Sequence, residues 1–319
     1  MAIVKVGTSS WTDPTLLRAG WYPPQASSPA DRLAYYASRF SLVEVDSTYY
    51  SLPSERNSVL WAERTPPHFT FNIKAFSLMT GHSTTAAKLP PALRLTLPPH
   101  LTGADARTAG ADGPSRRSAR STLYMKDLPE EAQRWIWESF DRALTPLAEA
   151  GKLGAILLQF PPWFGINREN KQAIERCRAM LPHRRLAVEF RNHSWLEGKN
   201  AQETFALLAD HDLTYVCVDE PQGFRSSVPP VTATTSPRLS MVRFHGRNRD
   251  TWESRSVTVT ERFRYLYSNE ELAEWVPRVQ ELAEQAEQTH VLFNNCYADF
   301  GVRNAADFVA QLQRAGLTQ

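Results

Sequence analysis

Eight short apolar runs, most of them followed by a stretch of helical periodicity, restrict the fold of this chain more than any other feature. They are IVKVGTS (3–9), LVEVDST (42–48), FTFNIKA (69–75), AILLQFP (155–161), LAVEFR (186–191), TYVCVD (214–219), LSMVRFHG (239–246) and HVLFNN (290–295). Each spans six to eight residues and is rich in Val, Ile, Leu and Phe, the composition of strands buried on both faces. The connections read as helices. PADRLAYYASRF (29–40) opens with Pro29, PSERNSVLWAERT (53–65) follows, and 129–152 carries acids in its first turn and Pro146 as an expected kink or break. Helical spacing recurs over 167–181, 201–211, 269–288 and 304–316, whereas PQGFRSSVPPVTATTSP (221–237) has none.

Strands alternating with helices imply parallel strands joined by crossovers. Eight such units predict one α/β domain, 1–319, closed as a (β/α)8 TIM barrel, a fold that takes ~250 residues. The surplus lies between the third strand and its helix. There 98–122 is predicted to be a mobile insertion, built around the small, polar TGADARTAGADGPSRRSARS (102–121). Its position after a strand end would hang it over the C-terminal face like a lid. No GxGxxG or GxxxxGK[ST] follows a strand, which disfavours an open nucleotide-binding sheet.

Lys plus Arg total 36 and Asp plus Glu 34, a net charge of +2 that argues against a general nucleic-acid coat or a membrane-surface protein. Cys177, Cys217 and Cys296 lie far apart and make no zinc-finger spacing. MAIVKVGTSSW runs straight into a strand without a signal-peptide pattern, and no apolar run approaches the ~20 residues of a membrane span. The expectation is a cytoplasmic protein without a membrane partner, its oligomeric state left open.

LAVEFRNHSW (186–195) raises the question of function, because a strand buried on both faces ends in Glu, Arg, His and Trp. Strand side chains alternate between two faces, and in a barrel one set points inward. Polar residues gather at the C-terminal ends, mostly on one parity: Glu44 and Asp46, Asn72 and Lys74, Gln159, Glu189 and Arg191, Asp219, Arg243 and His245, Asn294 and Asn295. Unpaired charge inside a barrel is costly, and that end carries the active site in essentially every characterised TIM-barrel enzyme. Glu44, Glu189, His245 and Asp219 are the candidates for acid/base catalysis. Lys74, Arg191, Arg243 and Arg247 are expected to hold an anion. Asp46, Gln159, Asn294 and Asn295 would orient the ligand, and Trp11, Tyr49 and Trp195 would wall the pocket. Tyr50, Trp163 and Trp252 crowd the same end.

The pattern predicts an enzyme for a small polar, anionic or sugar-like substrate, with hydrolysis ahead of isomerase or lyase chemistry. Glu189→Gln is then expected to abolish turnover with little change in melting temperature. No cofactor is clearly implied. The first alternative is a phosphoesterase-like or isomerase-like barrel with a divalent metal on Glu44, Glu189, Asp219 and His245. The second is a non-catalytic nucleotide or nucleic-acid binder using RRSAR (116–120). The bland reading makes the polar ring an interior ion-pair network.

Seven pieces resemble the DUF72 (YecE-like, UPF0759) family of TIM-barrel proteins: GTSSW (7–11), FSLVEVDSTYYSLP (40–53), FTFNIKA (69–75), AILLQFPP (155–162), VEFRNHSW (188–195), VRFHGRN (242–248) and FNNCYADFGVRNA (293–305). They span nearly the whole chain in order. The resemblance implies a (β/α)8 barrel with these motifs at strand ends and implies no particular reaction. The 102–121 segment has no counterpart in the family pattern. The Thr-His pair common in the family after the third-strand Lys is here TGHSTT (80–85), with Gly81 between Thr80 and His82.

Overall fold

The computed structural model describes residues 3–102, 122–254, 256 and 258–317; most of the expected insertion, including RRSAR, lies outside the described residues. Eight parallel strands close a barrel: β1 (Ile3–Thr8), β2 (Leu42–Val45), β3 (Thr70–Lys74), β4 (Leu153–Gln159), β5 (Leu186–Glu189), β6 (Thr214–Asp219), β7 (Ser240–Phe244) and β8 (Gln288–Phe293). Each strand pairs with its sequence neighbours, and β1 closes the ring against β8 with Val6 opposite Val291. This is the expected (β/α)8 TIM barrel.

The outer layer is made by α1 (Pro29–Ala37), α2 (Glu55–Glu63), α3 (Glu130–Glu149), α4 (Arg168–Met180), α5 (Asn200–Asp210), α6 (Asn269–Ala273), α7 (Val276–Gln285) and α8 (Phe300–Arg314), with shorter helical turns between. Local chemistry starts several of them. Ser28 and Asp31 form a capping box at α1, and Ser54 and Asn167 cap α2 and α4. One expectation shifts. Helix α3 carries Pro146 within it without a break, while the run expected over 269–288 divides into α6 and α7. Pro277 sits in the first turn of α7, where its missing N–H costs nothing. As expected, β6 returns to β7 through 220–239 without a helix.

One irregularity positions the interior. Phe71 pairs with Leu153 and Ile73 with Ile156, so Asn72 on β3 faces both Gly154 and Ala155 on β4. This β-bulge leaves the Ala155 N–H without a strand partner, and Asn72 Oδ1 accepts it at 2.9 Å. A short antiparallel pair, Thr84–Thr85 with Thr122–Leu123, joins the two ends of the 86–121 excursion. No helix among the described residues is long and apolar enough to cross a membrane.

Candidate functional site

At the C-terminal mouth, β2, β5, β6 and β7 deliver one continuous hydrogen-bonded relay. Arg243 donates Nη1 to Glu189 Oε2, and Nη2 to Glu44 Oε1 at 2.5 Å and to Ser9 Oγ at 3.3 Å. Arg191 donates Nε to Glu189 Oε1 at 2.6 Å and Nη1 to Glu220 Oε2 at 3.0 Å, and its Nη2 meets the His245 ring at 3.1 Å. Glu220 Oε1 accepts the Val228 N–H at 2.8 Å, which ties the helix-free β6–β7 connection to the relay. His245 Nε2 lies 3.2 Å from Glu189 Oε1, and Asn294 Nδ2 lies 2.9 Å from His245 Nδ1. The Trp252 ring covers the Arg191 guanidinium at 5.2 Å.

Burial sorts the proton affinities of these groups. It opposes ionisation of Glu189, but Arg243 and Arg191 outweigh it and hold that carboxyl well below its ordinary value. Glu44 shares Arg243 with Glu189 and is pushed up to about 7, chiefly by burial. Burial likewise pushes Glu220 up to about 8 despite Arg191. Burial and then Arg191 push His245 down to about 3, so its imidazole is neutral near neutral pH. Glu44 is the one relay carboxyl with a buried oxygen, Oε2, that has no hydrogen-bond partner.

The β3–β4 side of the mouth differs in carrying few side-chain hydrogen bonds. Lys74 Nζ lies 3.4 Å from Asp46 Oδ1, but that oxygen is not aligned to accept a hydrogen bond, so the contact is one of charge alone. The ammonium also stands 5.1 Å over the Tyr49 ring. Tyr49 and His82 meet nearly perpendicular at 5.2 Å, and His82 meets exposed Trp163 at 5.8 Å. Gln159 is half-buried, two residues beyond the Lys74 partner Leu157, on the same face.

Five expectations need correction. Asp219 turns outward and accepts from Arg247, Tyr267 (2.7 Å) and Trp275 (2.8 Å) between strand and helix. The next residue, Glu220, takes the inward position. Arg247 is neutralised by Asp219, Glu271 and Glu274 between strand and helix. Asn295 faces α8, bonded to Asn304. Trp195 is fully buried, stacked on Phe190 and Phe164, and its Nε1 donates to the Phe164 carbonyl. Trp11 packs against Trp61 of α2 and Phe71.

The candidate metal set fails for a related reason. Asp219 points away from Glu44, Glu189 and His245, and both glutamates are already engaged by Arg243. Among the described residues no group of three or more His, Cys, Asp or Glu is arranged to hold a metal. Glu220 and His82 were missing from the expected site. For Glu220 the signal was its adjacency to Asp219 at a strand end; for His82 it was the Thr-Gly-His spacing after Lys74.

A closed (β/α)8 barrel with a buried carboxylate–guanidinium relay at its C-terminal mouth defines a TIM-barrel protein. The chain belongs to the DUF72 family, described as "Protein of unknown function DUF72", which matches residues 5–319. The UPF0759 protein YunF of Bacillus subtilis (strain 168) is 29% identical over 300 residues, covering 92% of this chain and 89% of that protein. Two solved structures are similar throughout. A DUF72 family protein from Thermotoga maritima MSB8 is 32% identical with a TM-score of 0.71, covering 98% of this chain and 99% of its own. A DUF72 family protein from Enterococcus faecalis V583 is 24% identical with a TM-score of 0.74, covering 98% and 96%.

Proposed function

We propose that the protein is a cytoplasmic enzyme that performs acid/base chemistry on a small polar, anionic or sugar-like substrate at the C-terminal mouth, with hydrolysis the favoured reaction. The observation that carries this reading is geometric: two buried carboxyls share the Arg243 guanidinium, Glu189 bonded through both oxygens and Glu44 through Oε1 alone, with Oε2 unpartnered. Burial pushes Glu44 up to about 7, while Arg243 and Arg191 hold Glu189 well below its ordinary value. Paired titratable groups driven apart in this way are how one site supplies an acid at neutral pH. Glu44 is the proton donor. Glu189, saturated by Arg191 and Arg243, fixes the cations. Neutral His245 and Asn294 continue the hydrogen-bond chain, and Asp46, on the same side as Glu44, takes a substrate hydroxyl or the attacking water.

The test is Glu44→Gln, assayed for hydrolysis across phosphorylated and unphosphorylated sugars and small carboxylate esters. The amide keeps a hydrogen-bonding group facing Arg243 but has no proton to give, so turnover should fall at least ~100-fold, the span of general acid catalysis. Unchanged turnover of a substrate that the wild type hydrolyses would sink the assignment.

A further inference from the structure

Resting on the reading of this mouth as a substrate site, we propose that Lys74, His82 and Gln159 form a subsite for the tetrahedral oxyanion of a phosphate monoester, with Tyr49 and Trp163 as the wall for the group it is attached to.

The argument is one of commitment. Arg191, Arg243 and Arg247 are each bonded to carboxylates of this chain and have little left to offer a ligand. Lys74 Nζ meets Asp46 by charge alone, without an aligned hydrogen bond, and the Gln159 side-chain amide and His82 Nε2 have no hydrogen-bond partner among the described residues. Thr80 donates its proton to the Ser77 carbonyl at 3.3 Å, so at 3.0 Å its oxygen accepts from His82 Nδ1–H, and Nε2 is the nitrogen left for a ligand. Three groups from β3, the loop after it and β4 suit three terminal oxygens better than the two of a carboxylate. Half-exposed Tyr49 and exposed Trp163 both contact the imidazole. Lys74 and Arg191 are the charges facing His82, with Asp46 beside Lys74; burial and these two cations keep the empty imidazole neutral. A bound anion reverses that balance, so binding draws a proton onto Nε2.

Calorimetry with inorganic phosphate, and with sulfate, which does not titrate near neutrality, tests this in buffers of different ionisation enthalpy. The wild type should bind both and take up a fraction of a proton with sulfate. Lys74→Met should weaken binding at least tenfold and Gln159→Leu several-fold, both with unchanged melting temperature. His82→Gln should remove the proton uptake. Unaltered affinity in folded Lys74→Met and Gln159→Leu, or wild type that fails to bind either anion at tens of millimolar, overturns the proposal. Glu44→Gln should bind phosphate like the wild type. Phosphate binding without Glu44-dependent turnover would therefore retain the subsite and remove the acid/base reading. Glu44-dependent turnover of neutral sugars without phosphate binding would do the reverse.

Discussion

Glu189 accepts from Arg191 Nε and Arg243 Nη1 and lies against His245, with no exposed surface. That saturation changes what its replacement should do. Read from the sequence alone, Glu189→Gln removes activity and little else. In the structure it leaves two buried guanidinium groups facing a neutral amide, one of whose ends is itself a donor. Breaking a buried pair from one side costs about 3–5 kcal/mol. The expected result is a fall in Tm on the order of 5–10 °C by calorimetry. A variant melting with the wild type would show that Glu189 does not hold the mouth together. Glu44, bonded through one oxygen only, should be the milder change.

Among the elements, the β3–β4 bulge matters most for the interior. Asn72 Oδ1 accepts from Ala155 N and stands 3.1 Å from His290 Nδ1. Gly154 is required there, because a Cβ would meet Asn72 Oδ1 at 2.3 Å. Asn72→Ala removes the partner of a buried backbone N–H and of a buried imidazole, each about 1–3 kcal/mol when left unmade. Urea unfolding should show a loss of at least ~1 kcal/mol with the m-value unchanged; no loss would mean that another group, such as an internal water, satisfies the bulge. The β6–β7 connection does comparable work without a helix. Proline-rich and irregular, it delivers the Val228 N–H to Glu220, and Glu220 in turn holds Arg191.

For the whole molecule, five buried or half-buried groups contribute to the pH dependence of stability above 4.5, the lowered carboxyl of Glu189 acting below it. His245 and His290 are pushed down to about 3 and His82 to about 4, in each case chiefly by burial, from an ordinary value of 6.5. A lowered histidine contributes stability above 6.5 that is lost as pH falls toward its folded value. Glu44 and Glu220 are raised to about 7 and about 8, so their contribution is complete below 4.5 and is lost as pH rises through those values. From 6.5 down to 4.5, three histidines lose while two acids regain, a net decline. Above 6.5 only the acids titrate, again a decline. Thermal melts against pH should therefore peak near 6.5 as far as these groups decide it, and the acid limb should flatten in His290→Asn. A peak displaced above pH 8 would contradict the raised carboxyls.

Composition and periodicity determined the barrel, because eight Val, Ile and Leu-rich runs separated by helical repeats have few other ways to bury both faces of every strand. They also determined that Glu44, Lys74, Glu189, Arg191, Arg243 and His245 meet at one mouth, since these lie on inward parities near strand ends. The face expected for β6 is the wrong one, and beyond β8 the sequence does not choose between two neighbouring Asn residues. Val218 pairs with inward Arg243 and Asp219 with outward Phe244, so regular alternation turns Asp219 outward and Glu220 inward. Past Phe293 it turns Asn294 inward and Asn295 outward; with a period of two, a shift of one residue exchanges the faces. Only the tertiary structure decided that choice, through strand register, and Trp275 and Tyr267 then satisfy the outward Asp219 as Asn304 satisfies Asn295. It also decided which charges were spent. A guanidinium looks the same in any sequence, but whether it is free to bind a ligand depends on carboxylates up to 199 residues away, as Arg243 and Glu44 are.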